Sequence, residues 1–206
     1  MAIDVPTQHG PARVHLETAD EPRGILVLGH GAGGGVGARD LVTAAGVANS
    51  LGLSTALVEQ PYRVAGRRSP APAHQLDAAW TAVVEHLRAA GLVRGAAVVG
   101  GRSSGARVAC RTAAGTGADA VLCLAFPLQP PQRQGRPPSR SRLPELDAVA
   151  VPILVVQGER DRFGMPPAGP RRAVAVVQAD HALRSDLSAV GDAVRAWLSG
   201  LLDPTR

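Results

Sequence analysis

The chain has 206 residues, 45% of them apolar, which is the size of one large domain able to bury a substantial core, and we read 1–206 as a single domain. Its net charge of +5 comes from 22 basic residues, all of them Arg and set among abundant Ala, Gly, Val and Pro, a composition that points to GC-rich coding bias. With two Trp, one Tyr and two Phe there is little stacking surface, and no recognition motif is present, so nucleic acid is set aside as a partner.

No apolar run approaches the roughly 18 residues needed to span a bilayer, so no membrane association is expected. The first thirty residues carry Asp4, Glu17, Asp20 and Glu21 without an apolar signal-peptide core, and a cytoplasmic location is the expectation. Cys110 and Cys123 are the only cysteines, and their apolar surroundings suit buried thiols in a reducing compartment. A disulfide framework and a cysteine metal site are both set aside.

In chain order, apolar runs at 13–18 and 24–29 read as strands, followed by a helix over 39–51 and a strand over 53–58. A helix over 73–90 shows Leu76, Trp80, Val83, Val84 and Leu87 on one face, and a strand over 96–100 leads into a helix over 104–115. Further strands are expected at 119–124, 152–157 and 172–177. The last helix, 186–201, carries Leu187, Val190, Val194, Trp197 and Leu198 as its stripe, with Ser185 as N-cap and Asp186 in its first turn. Residues 127–144 hold Pro127, Pro130, Pro131, Pro137, Pro138 and Pro144 with four Arg, which predicts an irregular surface excursion between two strands. Strands alternating with helices predict an α/β fold, a mostly parallel sheet of about seven strands with helices on both faces.

The run Val98-Val99-Gly100-Gly101-Arg102-Ser103-Ser104-Gly105-Ala106-Arg107 sets Gly-x-Ser-x-Gly between a strand and a helix. There a tight turn lifts a serine hydroxyl off the sheet edge, and small residues two before and two after it let strand and helix approach. Ser103 fits that register, whereas Ser104 would place Arg102 where a small residue is required. A serine of ordinary pKa needs a base and a group that orients the base. Asp161, beyond the strand ending at Gln157-Gly158, and His181, beyond the strand ending at Val177, both follow Ser103 at carboxyl ends of strands. Glu159 is the competitor to Asp161. His9, His15, His30, His74 and His86 precede the serine and read as surface, capping or loop-ordering residues.

After the first core strand, Gly29-His30-Gly31-Ala32-Gly33-Gly34-Gly35 reads as a loop whose small residues admit an oxyanion, with the N–H groups of Ala32 and Ser104 as donors. A phosphate-binding glycine loop is the rival, but no Gly-Lys-Ser/Thr ending follows.

His30-Gly31-Ala32-Gly33-Gly34, the Ser103 turn, Phe126-Pro127-Leu128 with Pro130-Pro131, Gln157-Gly158-Glu159-Arg160-Asp161-Arg162-Phe163-Gly164 and Asp180-His181 together resemble one group. It is the α/β-hydrolase-like family that includes a testis-expressed protein, a histone-acetyltransferase complex subunit and many small bacterial proteins, close to the dienelactone hydrolases. The resemblance spans roughly residues 24 to 200. It implies Ser103 as nucleophile, Asp161 as acid, His181 as base and no inserted helical lid. Dienelactone hydrolases proper use a cysteine where this chain has Ser103, so their substrate is not carried over.

The expected activity is cleavage of an ester, thioester or lactone through an acyl-enzyme on Ser103, with no cofactor and no metal. Arg63, Arg67, Arg68, Arg102, Arg133 to Arg142, Arg160 and Arg162 fall in loops expected at the active edge and would suit an anionic small-molecule acyl substrate. Coding bias explains the same arginines as solvated loops. The second class of reading is an interaction protein that keeps the hydrolase fold without turnover, whose hallmark would be loss of Ser103, Asp161 or His181. The acyl group, the acceptor (water or another group) and the oligomeric state are left open by the sequence.

Overall fold

The computed structural model describes residues 1–132, 135, 137 and 139–203. Its elements are β1 (Ala2–Val5), β2 (Ala12–Glu17), β3 (Gly24–Gly29), α1 (Arg39–Ser50), β4 (Leu53–Glu59), α2 (Pro61–Val64), α3 (Ala73–Ala89), β5 (Ala96–Arg102), α4 (Ser104–Thr112), β6 (Ala120–Leu124), α5 (Leu143–Asp147), β7 (Ile153–Gly158), β8 (Arg172–Val177) and α6 (Leu187–Leu201). The eight strands form one sheet in the order β1-β2-β4-β3-β5-β6-β7-β8. Pairing is antiparallel for β1 with β2 and β2 with β4, and parallel from β4 through β8.

The central parallel strands β3 and β5 to β7 are covered on both faces, which is why they read as continuous apolar runs, whereas in the parallel edge strand β8 only Val177 is buried. Alternate residues go to opposite sides. Ile25 and Val27 of β3 pack with Trp80, Val83 and Leu87 of α3 and with Val108 and Ala109 of α4. Leu26 and Leu28 pack instead with Leu41 and Ala44 of α1 and with Val190, Val194 and Leu198 of α6. The α3 stripe is buried as expected. On α6 Val190, Val194 and Leu198 are buried, while Leu187 and Trp197 sit at the rim.

The structure adds two features to the expected fold and corrects one cap. The sheet has eight strands, because β1 is a short edge strand in which only Val5 is buried and so carries little pattern. The short helices α2 and α5, each with Pro in its first turn, were not anticipated. The cap of α6 is Asp186, whose carboxylate accepts the Ala189 N–H at 3.3 Å, while Ser185 Oγ turns away to donate to the Gln178 carbonyl at 2.8 Å.

Between β6 and β7 the described residues hold α5 and no helical lid. Arg133, Arg136 and Pro138 of the expected Pro- and Arg-rich loop lie outside the described residues. Cys110 and Cys123 are buried thiols with Sγ atoms 3.5 Å apart. Their mutual hydrogen bond, and then burial, hold the Cys123 thiol well above its ordinary range. Among the described residues no helix is long and apolar enough to cross a membrane.

Candidate active site

From β3 the chain crosses to β4 on one side and returns to β5 on the other, so the sheet has a topological switch at β3. Loops beyond the carboxyl ends of strands meet outside such a point, where open α/β sheets bind their ligands. Ser103 follows β5, the His30-Gly31-Ala32 loop follows β3, Asp161 follows β7 and His181 follows β8.

Ser103 sits at φ 51° and ψ −107°, a conformation costly for any residue but glycine, between the last residue of β5 and the first of α4. The turn is enforced from both sides. A Cβ on Gly101 would lie 2.8 Å from the Gly105 carbonyl carbon, and one on Gly105 would lie 2.9 Å from the His30 carbonyl oxygen. The Ser103 N–H is anchored to the Leu124 carbonyl at 2.9 Å.

His181 stands between the other two residues. Its Nε2 is 2.9 Å from Ser103 Oγ, and its Nδ1 is 2.8 Å from Asp161 Oδ2. With Nδ1 protonated toward the carboxylate, Nε2 is left as an acceptor for the serine proton. The Asp161 carboxylate is fully enclosed, and its Oδ1 accepts the Phe163 N–H at 2.9 Å. Its Oδ2 also accepts the Gln157 Nε2–H at 2.8 Å. Ser103 and His181 are half-buried and reachable. Glu159, the competitor to Asp161, is exposed, and Asp180 is occupied in capping its own loop through the Ala182 N–H at 2.8 Å.

The loop after β3 lies directly against the serine, since a Cβ on Gly31 would be 3.6 Å from Ser103 Cβ. Ser104 opens α4, so its N–H has no intrahelical partner. Among the described residues neither that N–H nor the Ala32 N–H donates a hydrogen bond, while the Ala32 carbonyl accepts the Tyr62 hydroxyl at 2.9 Å. His30 is a loop-ordering residue: Nδ1–H donates to the Gly31 carbonyl at 2.8 Å, and Nε2 accepts the Gln60 N–H at 3.1 Å. Burial pushes its pKa down, and with both ring nitrogens occupied it has no free valence for base catalysis.

The family model for the alpha/beta hydrolase domain matches residues 22–186. The chain belongs to the α/β hydrolase family. No curated protein matches it in sequence. Among solved structures it is similar to Est1E from Butyrivibrio proteoclasticus, at 15% identity and a TM-score of 0.77, covering 97% of this chain and 98% of that one. It is also similar to a dienelactone hydrolase from Anabaena variabilis, at 17% identity, TM-score 0.74 and coverage of 96% or more of both chains. A serine hydrolase without lid from Xanthomonas campestris gives 18% identity and a TM-score of 0.71, covering 96% of this chain and 94% of that one.

Three residues of this α/β hydrolase site were given no role by the sequence, although Gln157 and Phe163 belong to the run around Asp161. Gln157, wholly buried, aims Nε2 at Asp161 Oδ2, the Phe126 carbonyl at 3.1 Å and the Gly164 carbonyl at 2.9 Å. Three acceptors around one NH2 fix the amide's orientation. Phe163 packs its ring on His181 with centroids 4.4 Å apart. Asp40, on α1, meets Arg102. A buried polar residue ending an apolar strand was the available signal for Gln157; Asp40 had none.

The arginines divide sharply. Arg102 is tied to Asp40 and to the His181 carbonyl and Arg142 to the Pro127 carbonyl, whereas Arg160 is exposed and makes one 3.4 Å contact to the Gln178 carbonyl. Arg162 lies with its guanidinium carbon 5.5 Å from the Phe163 ring centroid and lines an open groove of about 280 Å³ with Gln129, Pro131, Ser139 and Phe163. A larger groove of about 970 Å³, along His15, Val42 and Leu57, contains none of Ser103, His181 and Asp161, and neither does the Arg162 groove, which adjoins the site only through Phe163, packed on His181. Among the described residues no three His, Cys, Asp or Glu side chains gather to hold a metal ion.

Proposed function

We propose that the protein is a serine hydrolase that cleaves an ester, thioester or lactone of a small acyl substrate. The observation that carries this reading is His181 within hydrogen-bond distance of both Ser103 Oγ, at 2.9 Å, and Asp161 Oδ2, at 2.8 Å. Ser103 Oγ attacks the carbonyl carbon while its proton passes to His181 Nε2. The imidazolium is stabilised by Asp161, and the oxyanion by the N–H groups of Ala32 and Ser104. His181 then protonates the leaving oxygen or sulfur as that bond breaks. Water, deprotonated by the same nitrogen, attacks the acyl-enzyme and releases the acid with Ser103 restored.

The half-buried, reachable Ser103 and His181 and the serine hydrolase and dienelactone hydrolase neighbours support short, accessible substrates. Arg162, at the groove beside Phe163 and without an acidic partner among the described residues, supports an anionic group on the part of the substrate that lies there.

The test is intact-mass spectrometry after reaction with a fluorophosphonate, whose fluoride the serine oxygen displaces. One adduct on wild type, absent from Ser103→Ala and His181→Ala, is expected. A folded wild type that takes no adduct would overturn the reading and turn attention to binding partners.

A further inference from the structure

Arg102 fills a variable position of the Gly-x-Ser-x-Gly turn, yet its side chain makes two polar contacts and lies against a third segment. Nε lies 3.1 Å from Asp40 Oδ2, with the two side chains 19% and 1% exposed. Nη2 donates to the His181 carbonyl at 3.0 Å. Nη1 lies against Gly31, where a Cβ would come within 2.8 Å of it. One guanidinium therefore touches α1, the loop after β3 and the loop that carries His181, and its own backbone adjoins Ser103.

We propose that Arg102, anchored by Asp40, is a positioning residue that sets the His181 backbone and the Gly31 segment relative to Ser103. This rests on the hydrolase reading above. The rest of the His181 loop is pinned elsewhere: Gln178 N–H to Asp186 Oδ2 at 3.1 Å, Ala179 N–H to the Val177 carbonyl at 2.8 Å, and Ala182 N–H to Asp180 Oδ1 at 2.8 Å. The carbonyl of His181 itself takes its hydrogen bond from Arg102. A planar fork with five donors serves two acceptors in fixed directions, which a lysine ammonium does not.

Asp40 is an expensive anchor. Burial pushes its carboxyl above the ordinary range, with the Arg102 charge opposing that shift. Its Oδ1 accepts the Leu41 N–H at 3.0 Å, while Oδ2 faces Arg102 as an ion pair without a well-aligned hydrogen bond. A buried pair of this kind adds little net stability. Its use is geometric: it directs the guanidinium toward His181.

The test compares wild type with Arg102→Lys and with the double variant Asp40→Leu/Arg102→Met. The double variant leaves no lone buried charge, and replacing both partners by apolar groups is close to neutral for folding. Melting temperature, fluorophosphonate labelling rate, and kcat and KM for a short ester are measured on the same samples. The double variant is expected to melt near wild type yet label about 10–100-fold more slowly, the loss falling on kcat while KM stays within about twofold. Arg102→Lys is expected to remain slow. Wild-type labelling and kcat in the folded double variant would overturn the proposal, as would losses that merely track the folded fraction.

A second readout separates this claim from the hydrolase reading. The His181 Nδ1 proton, assigned by its loss in His181→Ala, is expected as a protected NMR resonance in wild type and as an exchange-broadened one in the double variant. If wild type takes no adduct, the hydrolase reading fails, and an unchanged resonance in the double variant would sink the positioning role separately.

Discussion

Gln157 gives its side-chain N–H to Asp161 Oδ2 at 2.8 Å, the same oxygen that faces His181 Nδ1. The amide is fully buried and also holds the Phe126 and Gly164 carbonyls, so it locks the acid's loop to the end of β6. Gln157→Leu keeps the volume and removes the donor from three acceptors. It should cost about 1–3 kcal/mol in chemical denaturation. The freed carboxylate should also lower kcat, by between a few-fold and about 100-fold. Full activity in the folded variant would show that Asp161 needs no such support.

Asp161 and Glu159 lie two residues apart, and their surroundings predict opposite outcomes. Asp161→Asn preserves shape but removes the charge that holds the His181 tautomer, and kcat should fall on the order of 10⁴-fold. Glu159→Gln, at an exposed position, should leave kcat within about twofold. Equal effects in steady-state assays would reverse the assignment of the acid.

Arg162 gives the arginine-rich edge a sharp test. For an ester bearing a carboxylate, kcat/KM should fall with added salt and should fall again in Arg162→Gln, while a neutral ester of the same size responds to neither. Identical salt responses for the two esters would assign Arg162 to solvent and leave coding bias as its explanation.

His30 carries a pH dependence whose sign follows from its surroundings. Burial, and to a smaller degree the Arg63 charge, push its pKa below the ordinary 6.5, against the Gly31 hydrogen bond and the Glu59 charge, which raise it. The unfolded chain therefore takes up a proton first as pH falls. His30's contribution to stability is complete above pH 6.5 and is lost progressively below it, down to the depressed folded value. Denaturation midpoints across that window should fall more steeply in wild type than in His30→Gln, and parallel curves would refute the assignment.

The central strands were legible because β3 and β5 to β7 are covered on both sides, which demands unbroken apolar runs such as Ile25 to Leu28 and Ile153 to Val156. β1 was not, since it lies at the sheet edge with a single inward residue. The Ser103 turn could be read because its geometry admits only small residues at 101 and 105. The sequence favours Asp161 over Glu159 by its place in the motif run and not by spacing alone, because spacing does not show the tight loop in which the Gly164 N–H turns back to the Asp161 carbonyl at 3.0 Å. The Asp40–Arg102 pair left no trace at all: it joins two residues distant in sequence whose types are ordinary for their elements.

The absence of a lid among the described residues divides labour along the chain. The proposed triad is borne by turns locked to the sheet, whereas the groove that reaches it through Phe163, packed on His181, is walled by residues 129–132 and 139 of the β6–β7 excursion together with Arg162. On the proposed hydrolase reading, variation confined to that excursion changes which substrates are taken while the strands beneath keep their form.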